Sequence, residues 1–384
     1  LQLRRGVDEE PGAAQLGCAW TGEKGCVSMK LFAAIDIGSY EVEMKIFQIT
    51  SGKGIKEIDC VCHRMELGKD VYRDGKIGVE MTDELCRVLN DFVRIMKGYR
   101  VDDWRVCATS AVREAGNQLV FLDRVKRHTG LEVEVLSNAS QRFMDYKSIA
   151  SRENEFNRII QKGTAIVDVG GGSIQISLFD KDRLVASQNM KIGNLRLRER
   201  MMNEGVSLKH YETLLTEVVK NEFLSYKKLY LKDRVISNLI VVGDHIGDAV
   251  HKNVMTRSDF LNFYDDMIYR SDEDAAGRCE VPEDVISVLR PSLVVYRCFL
   301  EAADVENIWM PGLHLTDGMA YEYAQQNRLL KLGHDFDEDI LAAARNAAKR
   351  YQCSKSHIKV CEDLAVGIFD KIKKSQGFDD RDRL

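Results

Sequence analysis

Ala33-Ala34-Ile35-Asp36-Ile37-Gly38-Ser39 and Ala165-Ile166-Val167-Asp168-Val169-Gly170-Gly171-Gly172-Ser173 are two versions of one device. Each is an apolar strand that reaches an Asp and then breaks into a Gly/Ser turn. After each turn the chain continues as a strand rather than a helix. Val42, Met44 and Ile46 alternate with Glu41, Glu43 and Lys45, and Ile176 and Leu178 alternate with Gln175, Ser177 and Phe179. A period of two predicts a hairpin after each turn. The repetition predicts two related halves facing a shared cleft.

The chemistry of such a turn follows from its backbone. A Gly/Ser turn leaves N–H groups close to whatever lies above it, a concavity suited to phosphate oxygens. A strand-end carboxylate suits a hard divalent cation. One of each on either side of a cleft predicts a metal–phosphate site. A dinucleotide fold would need the glycines to open a helix, and a Walker loop would need Gly-Lys-Ser/Thr; neither pattern is met here.

The chain has 384 residues, 45% hydrophobic and 30% charged, with a net charge of −5. This length predicts more than one domain. The mild negative balance gives no general attraction for nucleic acid, so no DNA partner is expected. No apolar run is long enough to span a bilayer, so no membrane partner is expected. The ten cysteines are scattered without a Cys-x-x-Cys pair, a usage that predicts free thiols in a reducing cytoplasm. Cys60 and Cys62 alternate along a strand-like segment and are expected to pack rather than to ligate zinc.

Further along, 82–97 reads as a helix capped by Thr82, and 104–108 as a short strand entering Thr109-Ser110-Ala111-Val112-Arg113. A helix through Phe121 and Val125 stops at Gly130, and 131–136 alternates as a strand. Helices are expected over about 140–150, 207–228 and 284–303, with strands at 184–191, 238–242 and 307–310. Beyond Asp337 the pattern is helical throughout. The expected division is a tail outside the fold (1–28), a first lobe (29–138), a second lobe (139–333) and a helical extension (334–384).

Four strings in order resemble the exopolyphosphatase / guanosine-pentaphosphate phosphatase (Ppx/GppA) family. They are Ala34–Ser39, Ala108-Thr109-Ser110-Ala111-Val112-Arg113-Glu114-Ala115-Gly116-Asn117, Asp168–Ser173, and Ile192-Gly193-Asn194-Leu195-Arg196-Leu197. The resemblance runs from about Phe32 to about Ile372 and implies a two-lobed actin-like, ribonuclease-H-like α/β fold. The segment from Ile340 to Ile372 resembles the first helices of that family's C-terminal extension, with the remainder missing. The resemblance implies removal of terminal phosphates from polyphosphate or guanosine pentaphosphate (pppGpp), with a divalent cation, usually Mg2+, and a homodimer. By it, Gly38, Ser39, Thr109, Ser110, Gly171, Gly172 and Ser173 would hold the terminal phosphate. Arg113 would clamp it, and Asp168 with Asp36 would hold the metal. Sugar and acetate kinases share the implied fold, but the Thr109–Asn117 string separates this chain from them.

The departures fall at the chemistry. The family's Asn-Ser after the first turn is Tyr40-Glu41 here, and its metal-assisting Glu after the second turn is Gln175. Its Ser-Gly-x-Glu-Glu-Ala run, which supplies the carboxylate for the attacking water, reads Ser137-Asn138-Ala139-Ser140-Gln141-Arg142. Loss of a positioned general base costs about 10² to 10⁴ in rate. The implied function is therefore phosphate binding with hydrolysis weakened or lost, a pseudoenzyme, in which Gln175 also weakens or abolishes Mg2+ binding. The alternative is an active hydrolase with a replacement base. Asp145, one helical turn past Gln141, and Glu41 are the candidates for that base; the ordinary reading of Asp145 is a solvated helix charge.

Overall fold

Each Asp-ending strand lies at the centre of its own sheet. The computed structural model describes residues 2–3, 28–203, 208–232, 234–243, 245–330, 334, 336–378 and 383. In the first sheet the strands are β1 (Gln2–Leu3), β2 (Met29–Ile37), β3 (Glu41–Thr50), β4 (Gly54–Arg64), β5 (Asp103–Ala108) and β6 (Val133–Val135), in the order β1-β4-β3-β2-β5-β6. In the second they are β7 (Thr164–Val169), β8 (Ile174–Asp180), β9 (Arg183–Met190), β10 (Asn238–Val242), β11 (Val254–Thr256) and β12 (Asn307–Trp309), in the order β11-β12-β10-β7-β8-β9. β4-β3-β2-β5-β6 and β9-β8-β7-β10-β12 are the same arrangement. In both, two antiparallel pairings build one side of the central strand and two parallel pairings the other. This is a two-lobed, actin-like and ribonuclease-H-like α/β fold.

The central strands are apolar on both faces because both faces are covered. Ala33, Ala34, Ile35 and Ile37 are fully buried, and every residue of β7 is buried. The predicted hairpins form in matching register, Asp36 opposite Glu43 and Asp168 opposite Gln175. The turns match as well: Gly38 N donates to Glu41 O and Gly170 N to Ser173 O, each at 3.0 Å.

Some boundaries move. The helix expected from Thr82 runs Val79–Tyr99, with Gly78 at its N-cap. Thr82 lies inside it and donates its hydroxyl to Gly78 O at 2.8 Å, so its side chain serves the first turn from within. The strand expected over 131–136 shortens to β6, because Ser137 caps the helix Asn138–Ala150 by accepting from Ser140 N at 3.0 Å. Gln2 and Leu3 pair with Cys62 and Val61 at the sheet edge; residues 4–27 lie outside the described residues.

The helix Leu315–Gln326 follows the second sheet in the chain yet packs on the first. Leu315, Met319, Ala320 and Tyr323 form one apolar cluster with Phe32, Ala34, Phe47 and Met144. Beside it, Glu322 accepts from Lys147 and from Arg105, and Lys147 and Glu322 are buried. The helix Phe336–Arg350 packs on β9, where Asp339 accepts from Leu184 N at 3.0 Å. The helix Lys355–Gln376 buries no residue.

Candidate active site

The two central strands end at opposite walls of an open cleft of about 920 Å³. Asp36, Gly38, Ser39, Glu41, Thr109 and Ser110 line it from the first lobe, and Asp168, Gly170, Gly171 and Ser173 from the second. The helix Asn138–Ala150 adds Gln141 and Asp145. Two of the implied phosphate residues stand back from the cleft lining. Gly172 lies against the Tyr72 hydroxyl: a Cβ there would stand 2.1 Å from that oxygen. Arg113 donates to Leu136 O at 2.6 Å and to Gln141 Oε1 at 3.4 Å, a half-buried guanidinium held by the chain beside the cleft.

The two Gly/Ser turns come close together: a Cβ on Gly171 would stand 2.8 Å from Ser39 Cβ. Ser39 Oγ hydrogen-bonds Ser110 Oγ at 2.8 Å and Tyr72 OH at 2.9 Å. Arg196 lies over the Tyr72 ring at 4.0 Å while donating to Gly172 O and to Glu114. The Ile192–Leu197 string therefore supports both turns from below. The helix Asn194–Asn203 opens at the cleft, where its positive end suits an anion.

Three carboxylates meet here. Asp36 Oδ1 and Asp145 Oδ2 are buried without a hydrogen-bond partner. Burial, with Glu43, Glu41 and Asp168 nearby, pushes Asp36 up to about 8. Burial raises Asp145 strongly, helped by the charges of Asp168 and Asp36. The Asp145 side chain is thus no solvated helix charge: it is buried and faces the same cleft as Gln141. Asp168 accepts from Gln141 Nε2 and Gln175 Nε2, both at 3.4 Å. Gly243, at φ +82°, permits the close approach of β10 to this carboxylate; a Cβ there would stand 2.3 Å from Asp168 Oδ1. Hard oxygen donors with two orphaned oxygens fit a hard divalent cation, which would relieve the burial of like charges. Asp36, Asp145 and Asp168 would hold it.

Sequence reasoning quoted Asn194 in its motif but gave it no role, and it missed Tyr72 and the Glu43–His314 pair. Glu43, opposite Asp36, accepts from Thr316 Oγ1 at 2.7 Å and pairs with His314 Nδ1 at 2.8 Å. The hairpin register placed Glu43 beside Asp36, a cue the alternation already carried. His314 reaches the cleft only through the returning helix Leu315–Gln326, which no local pattern discloses.

A duplicated ribonuclease-H-like fold with acid residues and Gly/Ser turns across its cleft defines an actin-like protein. The model of the Ppx/GppA phosphatase family matches residues 45–327, and the chain belongs to that family. It is 20% identical over 352 residues to the guanosine-5'-triphosphate,3'-diphosphate pyrophosphatase of Photobacterium profundum, covering 89% of this chain and 67% of that one. It is 26% identical over 180 residues to the bifunctional 3-dehydroquinate synthase/phosphatase of Fusobacterium nucleatum, covering 44% of this chain and 26% of that one. Against exopolyphosphatase 2 of Mycobacterium tuberculosis it is 27% identical over 180 residues, 44% of this chain and 54% of that one. The chain thus matches about a quarter and about half of the length of these last two. Among solved structures, an exopolyphosphatase from Cytophaga hutchinsonii superposes with a TM-score of 0.68 at 17% identity, over 79% of this chain and all of that one. The Aquifex aeolicus Ppx/GppA family member superposes with a TM-score of 0.63 at 22% identity, over 78% of this chain and 99% of that one. Both support the fold.

Proposed function

We propose that this chain binds the terminal phosphate of polyphosphate or of guanosine pentaphosphate in its cleft, in a cation-dependent manner, with phosphoanhydride hydrolysis weakened or lost. The observation that carries this reading is the convergence of Asp36, Asp145 and Asp168 below two Gly/Ser turns that face each other. A bound Mg2+ would neutralise charge on the phosphate. Ser39, Ser110, Thr109 and Ser173 supply hydroxyls at the cleft wall, and the Gly171 turn supplies backbone donors. Arg113 is held beside them and would reach the phosphate by exchanging its contact to Gln141.

Two neutral amides account for the loss of rate. Gln141 and Gln175 both donate to Asp168, so neither adds negative charge for the cation, and Gln141 cannot take a proton from water. The second reading, a slow hydrolase with a replacement base, is favoured by one observation: Asp145 is a buried cleft carboxylate whose Oδ2 has no partner. Glu41 also lines the cleft, half-buried.

Phosphate release from both substrates with Mg2+, beside calorimetric binding, tests the reading. Binding lost in Arg113→Ala and Asp168→Ala, with little or no release, supports it. Release that Asp145→Asn abolishes while Mg2+-dependent binding persists supports the second reading. Absence of both binding and release would refute both.

A further inference from the structure

Cys60 and Cys62 are two residues apart on β4, so their side chains leave the same face of the sheet. Glu43 sits opposite Cys62 on β3 and joins that face. Its Oε1 lies 3.6 Å from Cys60 Sγ and 3.8 Å from Cys62 Sγ, and the three ligand atoms all lie within 4.8 Å of one another. A sulfur and an oxygen on one tetrahedral zinc, at about 2.3 Å and about 2.0 Å, stand roughly 3.5 Å apart. The donors already have nearly that spacing. His314 Nδ1 lies 2.8 Å from the same Glu43 oxygen, which puts a nitrogen donor next to the trio. Thiolate and imidazole ligands select zinc-like ions over magnesium.

We propose that Cys60, Cys62 and Glu43 form a second cation site, for a thiophilic divalent ion such as Zn2+. Both thiols are half-buried, so an ion can reach them. Binding releases the two thiol protons. Two thiolates and one carboxylate then carry three negative charges against the ion's two positive ones. Lys45, opposite Cys60 and close to Glu43, is the cation nearest this charge and shares it with Asp317 and Glu57. The alternation of Cys60 and Cys62 predicted packing alone; the register of Glu43 across the strand pair supplies the hard partner that packing does not need.

Titration of the whole chain with Co2+ tests the site. The expected result is a near-ultraviolet thiolate-to-cobalt charge-transfer band that saturates at one equivalent and is displaced by Zn2+. Cys60→Ser and Cys62→Ser should each remove most of the band, and Glu43→Gln should weaken Co2+ binding at least tenfold. Cys353→Ser/Cys361→Ser, which removes the exposed thiols, and Asp168→Asn, which alters the cleft, should both keep it. Circular dichroism of each variant separates loss of ligand from loss of fold, and should one cysteine variant misfold, the other with Glu43→Gln decides. Absence of the band, or its survival in both cysteine variants, would overturn the proposal. Neither outcome depends on phosphate binding or release, so this site can fail while the cleft reading stands.

Discussion

Gln141 and Asp168 are joined by a 3.4 Å hydrogen bond from the amide of one to the carboxylate of the other. The bond is long, so it orients rather than grips. Its second consequence is electrical, because Gln141 stands where the family pattern has a carboxylate. Gln141→Glu restores a charge that Arg113, 3.4 Å away on the other side, is placed to balance. We expect it to raise phosphate release by about 10² or more. A steady-state assay with Mg2+ reads this; an unchanged rate would show that Asp145 or Glu41 already does the work.

Asp36 sets the behaviour of the metal-free cleft. Its carboxyl is pushed up from 3.8 to about 8, chiefly by burial. The folded chain therefore holds a proton that the unfolded chain gives up, and stability falls as pH rises from about 4 to about 8. Asp36→Asn removes that fall and should be the more stable protein at pH 8, by about 1 kcal/mol or more, in urea titrations with chelator. Addition of Mg2+ should stabilise the parent chain and not the variant.

His314 is raised as well, but by an ion pair rather than by burial. Glu43 is the main cause of its rise from 6.5 to about 9. The stability this pair contributes is complete below about pH 6.5 and is lost as pH climbs through about 9. His314→Gln should therefore be destabilised by about 1 kcal/mol at pH 6, a figure kept small because the ring is one-third exposed, and the gap should close by about pH 9. Thermal melts across that range in chelator measure it. A gap independent of pH would mean the pair is uncharged.

Gly172 leaves no room for a side chain under Tyr72. Gly172→Ala should cost about 1–3 kcal/mol and weaken phosphate binding, because the turn or the ring must shift. Gly172→Ala/Tyr72→Leu should recover part of the stability. Equal losses in both variants would place the strain elsewhere.

Much of this fold was legible because its central strands are buried on both faces. The run Ala33–Ile37 cannot sit comfortably anywhere else, and a turn after Asp36 leaves the chain only the hairpin. The cleft was half legible. Asp36, Asp168 and the Gly/Ser turns announce themselves locally. Tyr72 and His314 do not, since each arrives from an element whose place depends on tertiary packing. Asp145 shows the limit most clearly. Helical spacing gave its direction relative to Gln141, but whether that direction meant water or a buried cleft rested on tertiary packing: Met144 joins the first sheet's cluster and Tyr146 the second's. Arg113 shows the converse: its string is specific, while its guanidinium is committed to Leu136 O and Gln141.

The contact of Lys147 and Arg105 with Glu322 bears on how the molecule can move. Truncating one partner of a buried ion pair costs about 3–5 kcal/mol, so Glu322→Ala should lose about that much in urea. Glu322 ties the helix Asn138–Ala150 and strand β5 to the returning helix Leu315–Gln326, so these three elements move as one piece, like pages held at the spine of a book.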